Sequence, residues 1–248
     1  MQKVIIITGS SRGIGAATAI KAASLGYKVC VNYMRNDAAA NAIVDLIYKN
    51  GGQAIAVKAD VSKELEVEKL FKVVDKELGI LTALVNNVGI LEPKTRVDKI
   101  DLARLQRIFS TNVSSCFLCA REAVRRMSTI HGGNGGAIVN VSSAASRLGS
   151  AGEYVDYAAS KGAIDTLTIG LSVEVANENI RVNGVRPGFI LTDIHASGGE
   201  PDRVNRIKTQ LPMQRGGEPA EVANAILWLL SEEASYVTGS FIDLAGGK

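Results

Sequence analysis

Residues 3–15 read KVIIITGSSRGIG, and AATAIKAA follows at 16–23. The run VIII at 4–7 is apolar without alternation, the pattern of a strand covered on both faces. A glycine-rich turn follows directly, and the Ala-rich stretch after it favours helix. Strand, tight turn and helix in this order open a βαβ unit. Outward from here, the first strand candidate is 3–8, and similar short runs recur at 28–33, 53–58, 82–86, 136–142, 180–186 and 239–243. Helical patterns fall between them at 13–25, 37–50, 63–78, 101–129, 155–177 and 218–231. The expected fold class is α/β, a single doubly wound domain over 1–248 with a seven-stranded parallel sheet and helices on both faces. Only 193–217 breaks the rhythm. It holds Gly198, Gly199, Pro201, Pro212, Gly216 and Gly217. A connection this long in a compact α/β domain is expected to be a substrate lid.

Composition narrows the function classes. Of 248 residues 46% are hydrophobic, which supplies a core and excludes disorder as the main state. The net charge of +3, from 28 basic and 25 acidic residues, is too small and too evenly spread for a nucleic-acid partner. No 18-residue apolar run exists, so no membrane span is expected. The apolar run near the start is too short for a signal-peptide core. Three cysteines make no disulfide framework. These features lead to the expectation of a soluble, cytoplasmic protein.

Within the turn, Gly9 suits a tight bend, Gly13 a close approach of backbone to pyrophosphate, and Gly15 close packing of helix on sheet. The following helix start offers free N–H groups and a positive dipole end to phosphates. The spacing is G-x3-G-x-G, not G-x-G-x-x-G, and an ordinary βα turn is the competing reading. Its position after the first strand favours a dinucleotide. The second strand ends Asn32-Tyr33-Met34-Arg35, with no carboxylate before Asp37. Arg35 stands where an acid would hold a ribose 2′-hydroxyl, and Arg12 lies inside the turn. Two guanidiniums there suit a 2′-phosphate, so NADP(H) is expected over NAD(H). Two alternatives stay open: solvated surface arginines, or an NAD site with Tyr33 on adenine and Asp37 on the ribose.

At the other end, Tyr157 and Lys161 are four apart in YAASK, within a helical pattern. They share a face, and a nearby ammonium favours the ionised phenol. Tyr154 has no such partner, since Ala158 follows four later.

TGSSRGIG at 8–15, NNVG at 86–89, Ser143 ahead of YAASK, and RPG at 186–188 occur together and in order. With them the chain resembles the classical short-chain dehydrogenase/reductase family over essentially its whole length. It is most similar to bacterial glucose 1-dehydrogenase-like and 3-oxoacyl-carrier-protein reductase-like members. The resemblance implies a Rossmann-type fold, a homotetramer, and an NAD(P)-dependent oxidoreductase acting on a small-molecule carbonyl or alcohol. It implies a phosphate turn of Thr8, Gly9, Ser10, Ser11, Arg12, Gly13, Ile14 and Gly15. Asp60 would meet the adenine edge with Val61 beside it, and Asn87 and Gly89 would line the adenosine side. Asn112 would hold a water leading to the lysine. Ser143 would hydrogen-bond the substrate oxygen, Tyr157 would exchange the proton, and Lys161 would hold the nicotinamide ribose. Pro187, Gly188, Ile190 and Thr192 would position the nicotinamide.

Two departures stand out. Val88 replaces the family's usual Ala. Ser143 lies fourteen residues before Tyr157, where the family commonly has Ser thirteen before; that position is Ala144 here. A one-residue insertion in the GEYVD loop accounts for this, and Ser142 is the second candidate.

Cys116 and Cys119 form C-x-x-C inside a helical stretch, with no second pair for zinc, and read as core or interface residues. His131 and His195 lack a metal-ligand pattern, so no metal is expected; His195 lies in the expected lid, where a substrate contact is one reading and an exposed loop residue the favoured one. Arg121, Arg125 and Arg126 are candidates for a carrier-protein patch or for a solvated helix face. The alternatives to a general carbonyl reductase are a sugar or polyol dehydrogenase and a non-catalytic NADP(H)-binding redox sensor. Apolar residues on more than one face of 101–129 and 155–177, such as Phe117 and Ile164, fit a subunit interface.

Overall fold

A computed structural model describes residues 3–248. Seven parallel strands form one sheet: β1 (Lys3–Ile7), β2 (Tyr27–Tyr33), β3 (Gln53–Lys58), β4 (Ala83–Asn86), β5 (Gly136–Val141), β6 (Ile180–Pro187) and β7 (Phe241–Leu244). Their order is β3-β2-β1-β4-β5-β6-β7. The chain winds outward from β1 to β3, then returns to lay β4 against β1, with Ile5 opposite Ala83 and Ile7 opposite Val85. This reversal opens a crevice at the carboxyl ends of β1 and β4.

Alternate residues of each strand point to opposite faces. Ile5, Ile7, Val29, Val31, Val85 and Val139 pack on one side, with α1 (Gly13–Ser24), α2 (Asp37–Lys49) and α10 (Pro219–Leu230). Val4, Ile6, Leu84 and Ile138 pack on the other, with α3 (Glu64–Glu77) and α5 (Ser115–Met127). The unbroken apolar runs thus have a direct cause, since each strand is covered twice.

The expected helix at 101–129 is interrupted. α4 spans Leu102–Phe109, a π-helical turn covers Ser110–Ser114, and α5 begins at Ser115. Asn112 sits at the centre of this turn, fully buried. Its Oδ1 accepts from the Ile90 N–H at 2.8 Å, and its Nδ2 donates to the Ile90 carbonyl and to Ser160 Oγ, each at 3.1 Å. Single π-helical turns inside helices concentrate at functional sites.

After β5 come α6 (Ala145–Leu148) and α7 (Val155–Glu174). The last strand starts later than expected, at Phe241, because Gly239 turns the chain with φ +68°. The 193–217 segment is not bare loop: it carries α8 (Ile194–Ser197) and α9 (Arg203–Ile207).

Candidate active site

A cavity of about 820 Å³ lies along the carboxyl ends of the strands, from the Gly9–Ile14 turn to Tyr157 and the 193–203 segment. The turn is clamped from both sides. Thr8 Oγ1 accepts from the N–H groups of Asn87 and Val88 at 2.9 and 3.1 Å. Asn87 Nδ2 donates back to the Thr8 carbonyl at 2.8 Å. From β2, Asn32 Oδ1 accepts from the Gly9 N–H at 3.1 Å. Asn32 is a structuring residue that its sequence context did not single out; an Asn at a strand end carries no local signal for this role.

The residues present fit a dinucleotide. Gly13 has φ +56° and faces Thr192, so backbone rather than side chain meets the cavity there. A Cβ on Gly15 would lie 2.7 Å from Ser10 Cα, so only glycine lets α1 start this close to the sheet. No side chain caps α1, whose first N–H groups are left for an anion. Arg12, Tyr33 and Arg35 line this end, with Met34, Asn36 and Ala39 beside them. Asp37 lies outside the wall, 3.8 Å from Lys58.

Of the expected site residues, Gly9, Ser11, Ile14, Asn87, Gly89, Ser143, Tyr157, Lys161, Pro187, Gly188, Ile190 and Thr192 also line the cavity. Thr8, Ser10, Gly15 and Asn112 support it from behind. Asp60 and Val61 are not brought to the wall. Asp60 Oδ1 accepts from the Ser62 N–H and hydroxyl, and Val61 is packed into the core below the sheet.

At the chemical end, Lys161 is buried and its Nζ lies 5.7 Å from the centre of the Tyr157 ring. Nζ donates to the Val141 carbonyl at 2.8 Å. A side chain on Gly89 would come within 3.3 Å of that Nζ, which explains a glycine in NNVG. Ser142 and Ser143 differ in surroundings. Ser142 is buried and its hydroxyl donates to the Lys161 carbonyl at 3.2 Å. The Ser143 hydroxyl is half-buried and accepts from the Ala145 N–H at 3.1 Å.

His195 is a correction. It is 9% exposed, not a solvated loop residue. Its Nε2 meets the Ile190 carbonyl at 3.1 Å, and burial lowers its pKa, so the neutral ring is favoured. Tyr154, set aside in the sequence, also lines the cavity, and its hydroxyl donates to the Gly198 carbonyl at 3.2 Å. Glu200 gathers Lys94, Arg203 and Arg206 at 3.1, 3.0 and 2.8 Å. Lys94, together with the pairing of Arg203 and Glu153, fastens 193–206 to the neighbouring segments, while the other two contacts brace the segment internally.

The cysteines are core residues. All three are unpaired and buried, and burial pushes the Cys116 thiol up to about 11. The arginines of α5 form no free basic patch: Arg121 pairs with Glu64, Arg125 with Glu122, and Arg126 with Asp75 and Glu122. Among the described residues no helix is long and apolar enough to cross a membrane, and no cluster of three His, Cys, Asp or Glu could hold a metal.

Residues 9–248 match a family model described as enoyl-(acyl carrier protein) reductase. The chain belongs to the classical short-chain dehydrogenase/reductase family. This family of oxidoreductases binds NAD(P) and acts on small molecules. The chain is 61% identical over 245 residues to the uncharacterized oxidoreductase YgfF of Escherichia coli strain K12, covering 99% of each chain. It is 36% identical to glucose 1-dehydrogenase 2 of Bacillus subtilis, over 99% of this chain and 94% of that one. A crystal structure of a dehydrogenase/reductase from Sinorhizobium meliloti superposes with a TM-score of 0.91 at 30% identity, over 99% of this chain and 94% of that one.

Proposed function

We propose that this oxidoreductase interconverts a carbonyl and an alcohol, with NADP(H) preferred over NAD(H). One observation carries the reading: Tyr157 and the buried Lys161 stand at one end of a cavity whose other end is the uncapped start of α1. The bound nicotinamide supplies or accepts the hydride. In reduction, Tyr157 Oη gives its proton to the carbonyl oxygen as negative charge develops there. Ser143 Oγ donates a hydrogen bond to the same oxygen and orients it. Lys161 sets a positive charge beside the phenol and would hold the nicotinamide ribose. Asn112, through Ile90 and Ser160, holds the wall behind them. In oxidation the proton moves the opposite way.

The preference for NADP(H) follows from charge. Arg12 and Arg35 line the adenosine end, and Asp37, the nearest carboxylate in sequence, faces Lys58. Residues 193–217 act as the lid, with Ile194, His195 and Arg203 in the substrate wall. A screen of carbonyls and alcohols with both cofactors tests this. NADPH-dependent reduction of at least one carbonyl is expected, whereas cofactor binding without turnover of any substrate would favour a redox sensor. The Bacillus relative's name makes sugars the first alcohols to try.

Assembly follows from the outer helix faces. Phe117, Ile169 and Val173 are 52%, 52% and 77% exposed, more apolar surface than one subunit buries. A homotetramer of two-fold symmetry built on α5 and α7 covers them. Light scattering at micromolar concentration should then give four times the 26.2 kDa chain mass, and a monomeric mass contradicts it.

A further inference from the structure

Beside the site lies a buried ion pair that the reaction scheme does not use. Arg104 is 8% and Asp156 3% exposed. Arg104 Nε donates to Asp156 Oδ2 at 2.6 Å, and Nη2 donates to Oδ1 at 3.3 Å. Nη1 donates to the Pro93 carbonyl at 2.6 Å. Asp156 Oδ1 also accepts from the Tyr157 backbone N–H at 2.9 Å. One guanidinium therefore joins α4, the connection after β4 and the first turn of α7.

The first N–H groups of a helix have no partner within it. Asp156 supplies one to Tyr157, and a carboxylate there also favours the positive end of the helix dipole. A carboxylate this buried needs a counter-charge. Arg104 provides it, and its planar fork fixes the carboxylate's orientation as well as its charge. Lysine offers one point charge and cannot hold both carboxylate oxygens and the Pro93 carbonyl in the same way. Stability alone is a weak reason for such a pair, because well-packed apolar residues often replace a buried ion pair without loss. Neither side chain lines the cavity, so neither touches substrate.

We propose that Arg104 and Asp156 are positioning residues for Tyr157. The pair locks the first turn of α7, and with it the placement of the Tyr157 hydroxyl relative to the substrate carbonyl. It also ties that turn to the Pro93 connection, which leads from the cavity wall at Leu91. This inference rests on the reading of Tyr157 as the proton donor.

The test compares four proteins with NADPH and one turned-over carbonyl: parent, Tyr157→Phe, Arg104→Lys, and the double variant Arg104→Met/Asp156→Leu. The double variant leaves no buried charge unpaired. It is expected to melt close to the parent and to bind NADPH within about twofold, while kcat falls about 10- to 100-fold and KM changes little. Arg104→Lys is expected to show the same split with a smaller loss. If the double variant fails to fold, Arg104→Lys carries the test alone. Parent-like kcat in either folded variant overturns the inference, as does a loss of kcat that only follows a loss of cofactor binding. Turnover lost in Tyr157→Phe but kept in the pair variants sinks this inference alone. Turnover kept in Tyr157→Phe sinks the catalytic reading, and this inference with it.

Discussion

Tyr157→Phe should lose about 10²- to 10⁴-fold in turnover while its NADPH dissociation constant stays near the parent value. The substitution removes one hydroxyl from a half-buried ring and leaves the ring's packing in α7 intact. Only the proton donor is lost, so the cofactor cradle at Gly9–Ile14 is untouched. Lys161→Ala should behave differently, with both turnover and cofactor affinity falling. Lys161 Nζ lies 5.7 Å from the Tyr157 ring centre and donates to the Val141 carbonyl, so its loss removes the charge beside the phenol and that hydrogen bond. The measurement is steady-state turnover alongside cofactor titration by fluorescence. A Tyr157→Phe protein turning over at the parent rate is incompatible with the mechanism.

Replacing Arg12 and Arg35 together by Ala should weaken NADPH binding by about one to three orders of magnitude and barely change NADH binding. Both guanidiniums line the adenosine end of the cavity, and both are exposed before a ligand binds. Among the described residues no carboxylate lies within ion-pair distance of either. A 2′-phosphate would therefore meet them without first breaking an internal salt bridge. Solvent exposure places the effect toward the lower end of the range at physiological salt. Dissociation constants of both cofactors, for parent and double variant, decide the matter. Equal or tighter NADH binding by the parent refutes the assignment and returns attention to Asp37 and Tyr33.

Much of this molecule follows from local pattern. The run at 4–7 is apolar throughout, and 136–141 is interrupted only by Asn140, because each lies in a sheet with helices on both faces, a pattern that points to a parallel sheet. The turn at 8–15 needs glycine where φ is positive or a Cβ has no room, so Gly9, Gly13 and Gly15 announce themselves. Tyr157 and Lys161 are legible as a pair because one helical turn brings residues four apart onto one face.

The rest was decided by contacts between segments distant in the chain. A π-helical turn at Asn112 interrupts a helix that local periodicity treats as continuous, and the side chain's partner Ser160 lies 48 residues away. Nothing in the local sequence singles out Arg104, yet it is buried in an ion pair with Asp156, 52 residues on. His195 reads as a loop residue until the packing around Ile190 buries it. The basic character of α5 disappears once α3 brings Glu64 and Asp75 alongside. Periodicity and turn chemistry depend on spacings of two to four residues, and the sequence displays those directly. Burial and charge pairing depend on which helix faces which strand, and that is set only when the sheet closes over its two cores.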